Sequence, residues 1–491
     1  MKTKIAILSF SFLLFISCSN DEINNVEIPN ETTSKVQLTQ EEAISISFDE
    51  VKEIGEEGIR DIIADFINAQ NTTETKSAEN KALSITLNEK YYVSDENGNN
   101  QQLTKSSATT MQIPVYEAII DSNGKKSFTL VAADERTPKV YAYLPDFDPS
   151  KINDTNLQVM LGLSKQSIID DIYEIEEIKS NLRDKTIAKI VSELGIEQSE
   201  FGYDRVSKYI AVDGIEEQVV TKVNGNMYQY AEIPTQILGG VYPLSQVSWD
   251  QSVPYNRNYP TGPVLTAWGT IMTDKLPVGC AVTAIAQTLS VIEPTYSFGG
   301  QYMSWPYLKQ TEELIERGQQ NASPEDKLNM AGKLFRSIYD DTQSYPVWNP
   351  NRTAIVNVAT DFSKIASYMT SKTLCNSPRT FNGDICKLSL DAYRPVLVYG
   401  TLYYTLQNGS RTSDGHAFLF DGYLVAKKLS KVIVQNYDMY WHANLGWGPS
   451  LKGYFKLRLD AHSYMTVLNN NGDRVEITTT DYTMISDIRR R

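Results

Sequence analysis

The sequence predicts an α+β protein in two unlike halves, and three observations carry that expectation. Residues 114–121, 127–133 and 140–144 alternate or run apolar between turn signals, as an antiparallel meander would. Within residues 164–194, Ile168, Ile169, Ile172, Ile175, Ile178 and Leu182 recur at helical spacing, the stripe of a core-facing helix. Charge then divides the chain. Residues 21–240 hold 39 acidic and 20 basic residues, against 21 and 24 in residues 241–491, so the halves carry −19 and +3 within a total of −14. A length of 491 residues exceeds one ordinary core, and 41% apolar with 22% charged residues suits folded domains. The acidic total argues against nucleic acid or an anionic membrane as the main partner.

The first residues read as an address. Lys2 and Lys4 precede an uncharged run from Ile5 to Ile16, followed by Ser17-Cys18. A positive start, a short apolar stretch and a small residue before cysteine describe a bacterial signal peptide, too short to span a bilayer. Phe15-Ile16-Ser17-Cys18 resembles a lipobox, which would make Cys18 a lipidation site and the protein exported and anchored at the cell envelope or surface; an ordinary signal peptide cut nearby is the alternative. Residues 1–18 are therefore assigned to the signal, and the polar residues 19–40 to a solvated tether.

At the junction with the remainder of the first half, residues 41–240, Thr39-Gln40-Glu41-Glu42 has capping-box spacing and predicts a helix. A second helix is expected after Gly58, with Ile59, Ile62, Ile63 and Phe66 along one face. Short strands follow at 83–87 and 90–93, then the meander and the long helix. The Gly239-Gly240 pair after Pro234 gives the backbone freedom to turn, and the charge balance changes there, so the domain boundary is placed at Gly240.

The chemistry gathers in residues 241–491. Pro277 and Gly279 break the chain just before Cys280, and residues 281–292 are small or apolar apart from threonine, glutamine and serine. That predicts a buried helix with a thiol in its first turn, where the helix dipole favours thiolate; an inert core cysteine is the rival reading. The chain has three histidines, His416, His442 and His462. His416 follows Gly415 and precedes an apolar strand, and a strand end would hold a base in a fixed place. Gln251 lies upstream of Cys280 and could donate to an oxyanion. Asn444 could accept the second imidazole N–H, and Trp447 could shield that bond from water. Cys375 and Cys386 flank a turn-rich stretch where a disulfide is geometrically plausible, a pairing that sequence leaves open.

Together the Trp249-Asp250-Gln251 to Pro254-Tyr255-Asn256 box, Gly279-Cys280-Ala281, Gly415-His416-Ala417-Phe418 and the Gly446-Trp447-Gly448 to Gly453-Tyr454-Phe455 segment resemble the streptopain family of secreted bacterial cysteine proteases, over roughly residues 241–470. The resemblance implies a papain-like domain and an endopeptidase acting on proteins or peptides without cofactor or metal. It implies Cys280 as nucleophile, His416 as general base and acid, Gln251 as oxyanion donor, and Gly415 beside the substrate backbone. Residues 114–143, centred on 128–143, look like the recurring element of the family's inhibitory prodomains, so residues 41–240 are expected to hold the enzyme as a zymogen. An extra subdomain around 150–235 has no counterpart in that expectation. Leu445 stands where the family usually has tryptophan, which opens the alternative of a catalytically impaired adhesin; a papain-like cell-wall amidase is a further rival.

Overall fold

The computed structural model describes residues 35–48, 51–74, 83–88, 90–94, 111–215, 235–266, 269–298, 301–405, 411–429, 435–459, 464–468, 474–479 and 482–491. The signal segment, Cys18, His462 and most of the tether lie outside the described residues. The fold is α+β. Among the described residues no helix is long and apolar enough to cross a membrane, and no cluster of side chains could hold a metal ion.

The expected capping box is present at α1 (Gln40–Ser45): the Glu42 amide donates to Thr39 Oγ1 at 3.1 Å, and the Thr39 amide donates to the Glu42 carboxylate at 2.9 Å. Such a cap contributes about 1 kcal/mol. The end of the supposed tether departs from expectation. Val36–Leu38 is a strand paired in parallel with Ile210–Val212, with Val36 and Leu38 buried, because the apolar-polar-apolar triplet has a partner edge to alternate against. α2 (Glu56–Glu74) buries Ile59, Ile62, Ile63 and Phe66 as its spacing predicts.

The meander forms as β1 (Gln112–Ser122), β2 (Lys125–Ala132) and β3 (Val140–Leu144), paired antiparallel in order. Asn123 and Gly124 turn the first hairpin with φ of 56° and 82°, the left-handed pair a tight two-residue loop requires. The long helix α3 (Thr155–Leu194) starts 13 residues before Ile168, the first residue of the isoleucine stripe. Its first turns, Leu157–Leu163, are buried on every side, so they carry no periodic signal. Asp154 caps its start by accepting the Asn156 and Leu157 amides, and Gly195 at φ 65° ends it. The far end of α3 packs Ile187, Ile190 and Leu194 against Val36, Leu38, Val206, Ile210 and Val212, a small core of its own drawn from residues 36–46 and 187–212.

In the second half, β5 (Val396–Thr405), β6 (Arg411–Leu429), β7 (Gln435–Asn444) and β8 (Lys452–Phe455) form an antiparallel sheet; the preceding strand β4 (Gln236–Val241) pairs with β6. The Gly239-Gly240 pair therefore lies within a strand rather than at a turn. β8 also pairs with β3, Tyr454 opposite Tyr143 and Phe455 opposite Ala142, so the meander continues the sheet of the second half. A Cβ on Gly453 would lie 2.4 Å from the Tyr143 carbonyl oxygen, so this junction depends on glycine. Against the sheet lies α4 (Cys280–Ile292), backed by α5 (Glu325–Asp341) and α6 (Phe362–Lys372); Val282, Ile285, Ala286 and Leu289 join Leu328, Phe335 and Ile365 in one core. Cys375 and Cys386 are unbonded, and burial pushes the Cys386 thiol well above its ordinary range.

Candidate active site

The chain reaches α4 through Gly279, whose φ of 89° and ψ of 141° suit glycine alone. A Cβ there would also lie 2.5 Å from the Val358 carbonyl oxygen. This turn makes Cys280 the first residue of the helix, partly exposed, at the positive end of the helix dipole. The backbone amide and the hydroxyl of Thr283 both donate to the Gly279 carbonyl at 3.2 Å, which fixes the turn.

The Cys280 thiol donates to the Gly415 carbonyl oxygen at 3.6 Å, setting the sulfur beside the residue that precedes His416. His416 does not stand at a strand end. It lies within β6, opposite Gly400, because residues 411–415 pair backbone to backbone with residues 401–405 despite their polar side chains. The imidazole is 6% exposed and stacks on Phe418 at 5.7 Å. Its Nε2 is buried without a hydrogen-bond partner among the described residues. Burial pushes the imidazole down to about 4, so it is neutral near pH 7. The flank of Gly415 is occupied by Tyr399, whose hydroxyl would lie 2.3 Å from an added Cβ.

Gln251 is buried, and its carbonyl accepts the Val278 amide at 2.9 Å, which ties it to the residue two before Cys280. Its Nε2 has no partner among the described residues. A buried N–H left unpaired costs about 1–3 kcal/mol, a cost that an active site recovers when a developing oxyanion accepts it. Neighbouring Asp250 is raised by burial, although it accepts from the Ser252 amide and hydroxyl; Lys151 of the first half acts on its charge.

Asn444 does not hydrogen-bond to His416. Its Oδ1 accepts from Gln287 Nε2 at 3.0 Å and from the Gly446 amide at 3.2 Å, and its Nδ2 donates to the Val247 carbonyl at 3.2 Å. Those three partners fill both acceptor positions of the oxygen and one of the two N–H donors, so the side chain acts as a brace between segments. Trp447 packs against the large core with its indole N–H buried and unpartnered among the described residues; no bond joins it to His416. Leu445 is fully buried in the same core, and its amide donates to Leu451. Its substitution therefore bears on packing.

Sequence reasoning missed Gln287 and Tyr399. The first was visible as a glutamine inside an otherwise apolar helix; the second had no local signal. It also gave His442 no role. His442 Nδ1 meets Asp421 Oδ1 at 2.6 Å in the interior, while Asp421 accepts the Leu244 and Ser245 amides at 2.8 and 2.9 Å. That pair anchors the segment entering the second half.

Among solved structures the chain resembles a fragment of prointerpain A from Prevotella intermedia at 13% identity, covering 81% of this chain and 100% of that one, with a TM-score of 0.39. It also resembles active wild-type interpain A cysteine protease of the same organism at 19% identity, covering 52% and 96%, with a TM-score of 0.34. No curated protein matches. Residues 249–455, from Trp249 of the Gln251 box to Phe455 of β8, match the family model of the Peptidase C10 family, and the enzyme class this indicates for the chain is a cysteine-type peptidase.

Proposed function

We propose that the protein is an exported cysteine endopeptidase, made as a zymogen, with Cys280 as nucleophile and His416 as general base and acid. The observation that carries this reading is the Cys280 thiol at a helix start, hydrogen-bonded to the residue before His416. In the reaction, His416 takes the thiol proton, the sulfur attacks the scissile carbonyl, and the tetrahedral oxyanion accepts from Gln251 Nε2 and the Cys280 amide. His416 then gives its proton to the leaving amine, and water attacks the thioester to release the acid and restore the thiol. Gly415 borders the substrate backbone.

Residues 41–240 serve as the inhibitory segment. Three features support this: the meander shares a sheet with β8, Lys151 acts on Asp250 beside Gln251, and buried charges cross between the halves. Export and attachment through Cys18 rest on the charged start and apolar run at residues 2–18. Turnover of casein and of peptidoglycan by wild type and Cys280→Ser tests the reading. Casein cleavage lost in the variant supports the endopeptidase; cleavage of peptidoglycan alone identifies an amidase, and cleavage of neither by wild type points to an adhesin.

A further inference from the structure

Resting on the reading of Cys280 and Gln251 just given, we propose that Gln287 is a positioning residue for catalysis. Its side-chain amide locks the oxyanion segment and the Asn444 strand end to the helix that bears the nucleophile. Gln287 sits seven residues after Cys280, two turns along α4, and is fully buried. Its Nε2 carries two N–H groups and meets two acceptors: the Trp249 carbonyl at 3.1 Å, two residues before Gln251, and Asn444 Oδ1 at 3.0 Å. Asn444 completes the brace through its bond to the Val247 carbonyl, and its backbone lies opposite Leu419, three residues beyond His416 on β6.

One amide therefore joins three pieces that are far apart in sequence and each adjacent to one working group: α4 to Cys280, the Trp249 segment to Gln251, and the β7 end to the His416 strand. Nothing else in α4 matches this. Thr283, Thr288 and Ser290 return their hydroxyl hydrogen bonds to carbonyls of the helix or its cap. A helix that only needed burial would carry an apolar residue at 287, since a lone buried amide costs more than it returns unless its partners need it. An oxyanion donor misplaced by even 1 Å loses much of its effect, so the brace acts on rate.

The test compares wild type, Gln287→Met and Gln287→Glu, each as the full chain. The variants are processed in trans by a catalytic amount of wild type, whose own activity is subtracted. Gln287→Met keeps the length and removes both donors; Gln287→Glu, protonated when buried, keeps one N–H equivalent as a single O–H. The expected order of kcat is wild type, then Glu, then Met, with a loss of about 10–100-fold in Met and KM within twofold. Alkylation of Cys280 by iodoacetamide, which needs no oxyanion donor, stays within about threefold of wild type. An unchanged kcat in both variants overturns the proposal, as does an alkylation rate that falls as far as kcat. If Gln287→Met shows no cooperative melt, Gln287→Glu decides on the same criteria. Wild type that hydrolyses no peptide at all overturns the functional reading and this inference with it; active wild type with insensitive variants overturns the inference alone.

Discussion

The Cys280 sulfur lies 3.6 Å from the carbonyl oxygen of Gly415, so the proposed nucleophile and the residue before the proposed general base are in direct contact across 135 positions of sequence. Two unrelated local devices meet there. One is a glycine turn that opens a helix at cysteine; the other is a strand register that sets Gly415 opposite Thr401 and His416 opposite Gly400.

Gln251 is expected to act on the transition state. Gln251→Ala should lower kcat by about 100-fold with KM little changed, the pattern of a lost oxyanion donor. Steady-state kinetics on a chromogenic peptide check this, and a change confined to KM would assign Gln251 to substrate binding.

Asn444 bonds Gln287, Gly446 and Val247, so its removal loosens the site without removing a hydrogen-bond partner of the imidazole. Asn444→Ala should lower kcat about tenfold or more, leaving the acid limb of the kcat/KM profile in place. A shift of that limb by a full pH unit would show direct contact with the imidazole during turnover.

Stability should fall in mild acid because of His416. Its folded value of about 4 lies below the ordinary 6.5, so the unfolded chain binds the proton first. The contribution is complete above pH 6.5 and is lost as pH falls toward 4, by about 3 kcal/mol. Urea melts of wild type and His416→Phe between pH 4 and 7 measure it; the variant should show a flatter profile.

Asp171 of α3 joins the two halves. Its carboxylate accepts from Lys456 at 2.6 Å and Lys139 at 3.3 Å, and Lys139 in turn bonds Asp438 at 2.9 Å. Tyr141 donates to Asp171 at 2.6 Å, and Arg458 and Glu174 flank the group. Burial alone would raise Asp171, yet the two lysines hold it well below the usual carboxylate range. Burial alone would likewise lower Lys139, and its two carboxylates raise it instead. The carboxylate's contribution is lost only in strong acid and the lysine's only above about pH 10, so the clamp holds steady from about pH 5 to 9. Asp171→Asn should weaken it by about 3 kcal/mol. Activation of the full chain, followed as the lag before peptide hydrolysis, should shorten in that variant.

The elements with a periodic signal were legible from sequence: the Ile59–Phe66 face, the meander and the helix after Cys280. Leu157–Leu163 was not, because a helix buried all round has no period to read. The position of His416 was misread since β6 begins among polar residues whose backbone, not side chains, makes the sheet. The motifs singled out Gln251, Cys280 and His416, but the bonds of Asn444 were not legible. A hydrogen-bond partner is chosen by tertiary approach, and the fold brings Gln287 to Asn444.

The central claim is that Cys280 is the nucleophile. A peptide bearing a thiol-directed electrophile, incubated with the processed enzyme and followed by mass spectrometry, tests it most directly. The account predicts one adduct per chain, located on Cys280, formed in proportion to the loss of peptide hydrolysis and absent from Cys280→Ser. Full hydrolysis persisting after Cys280 is wholly modified, or in Cys280→Ser itself, would contradict it.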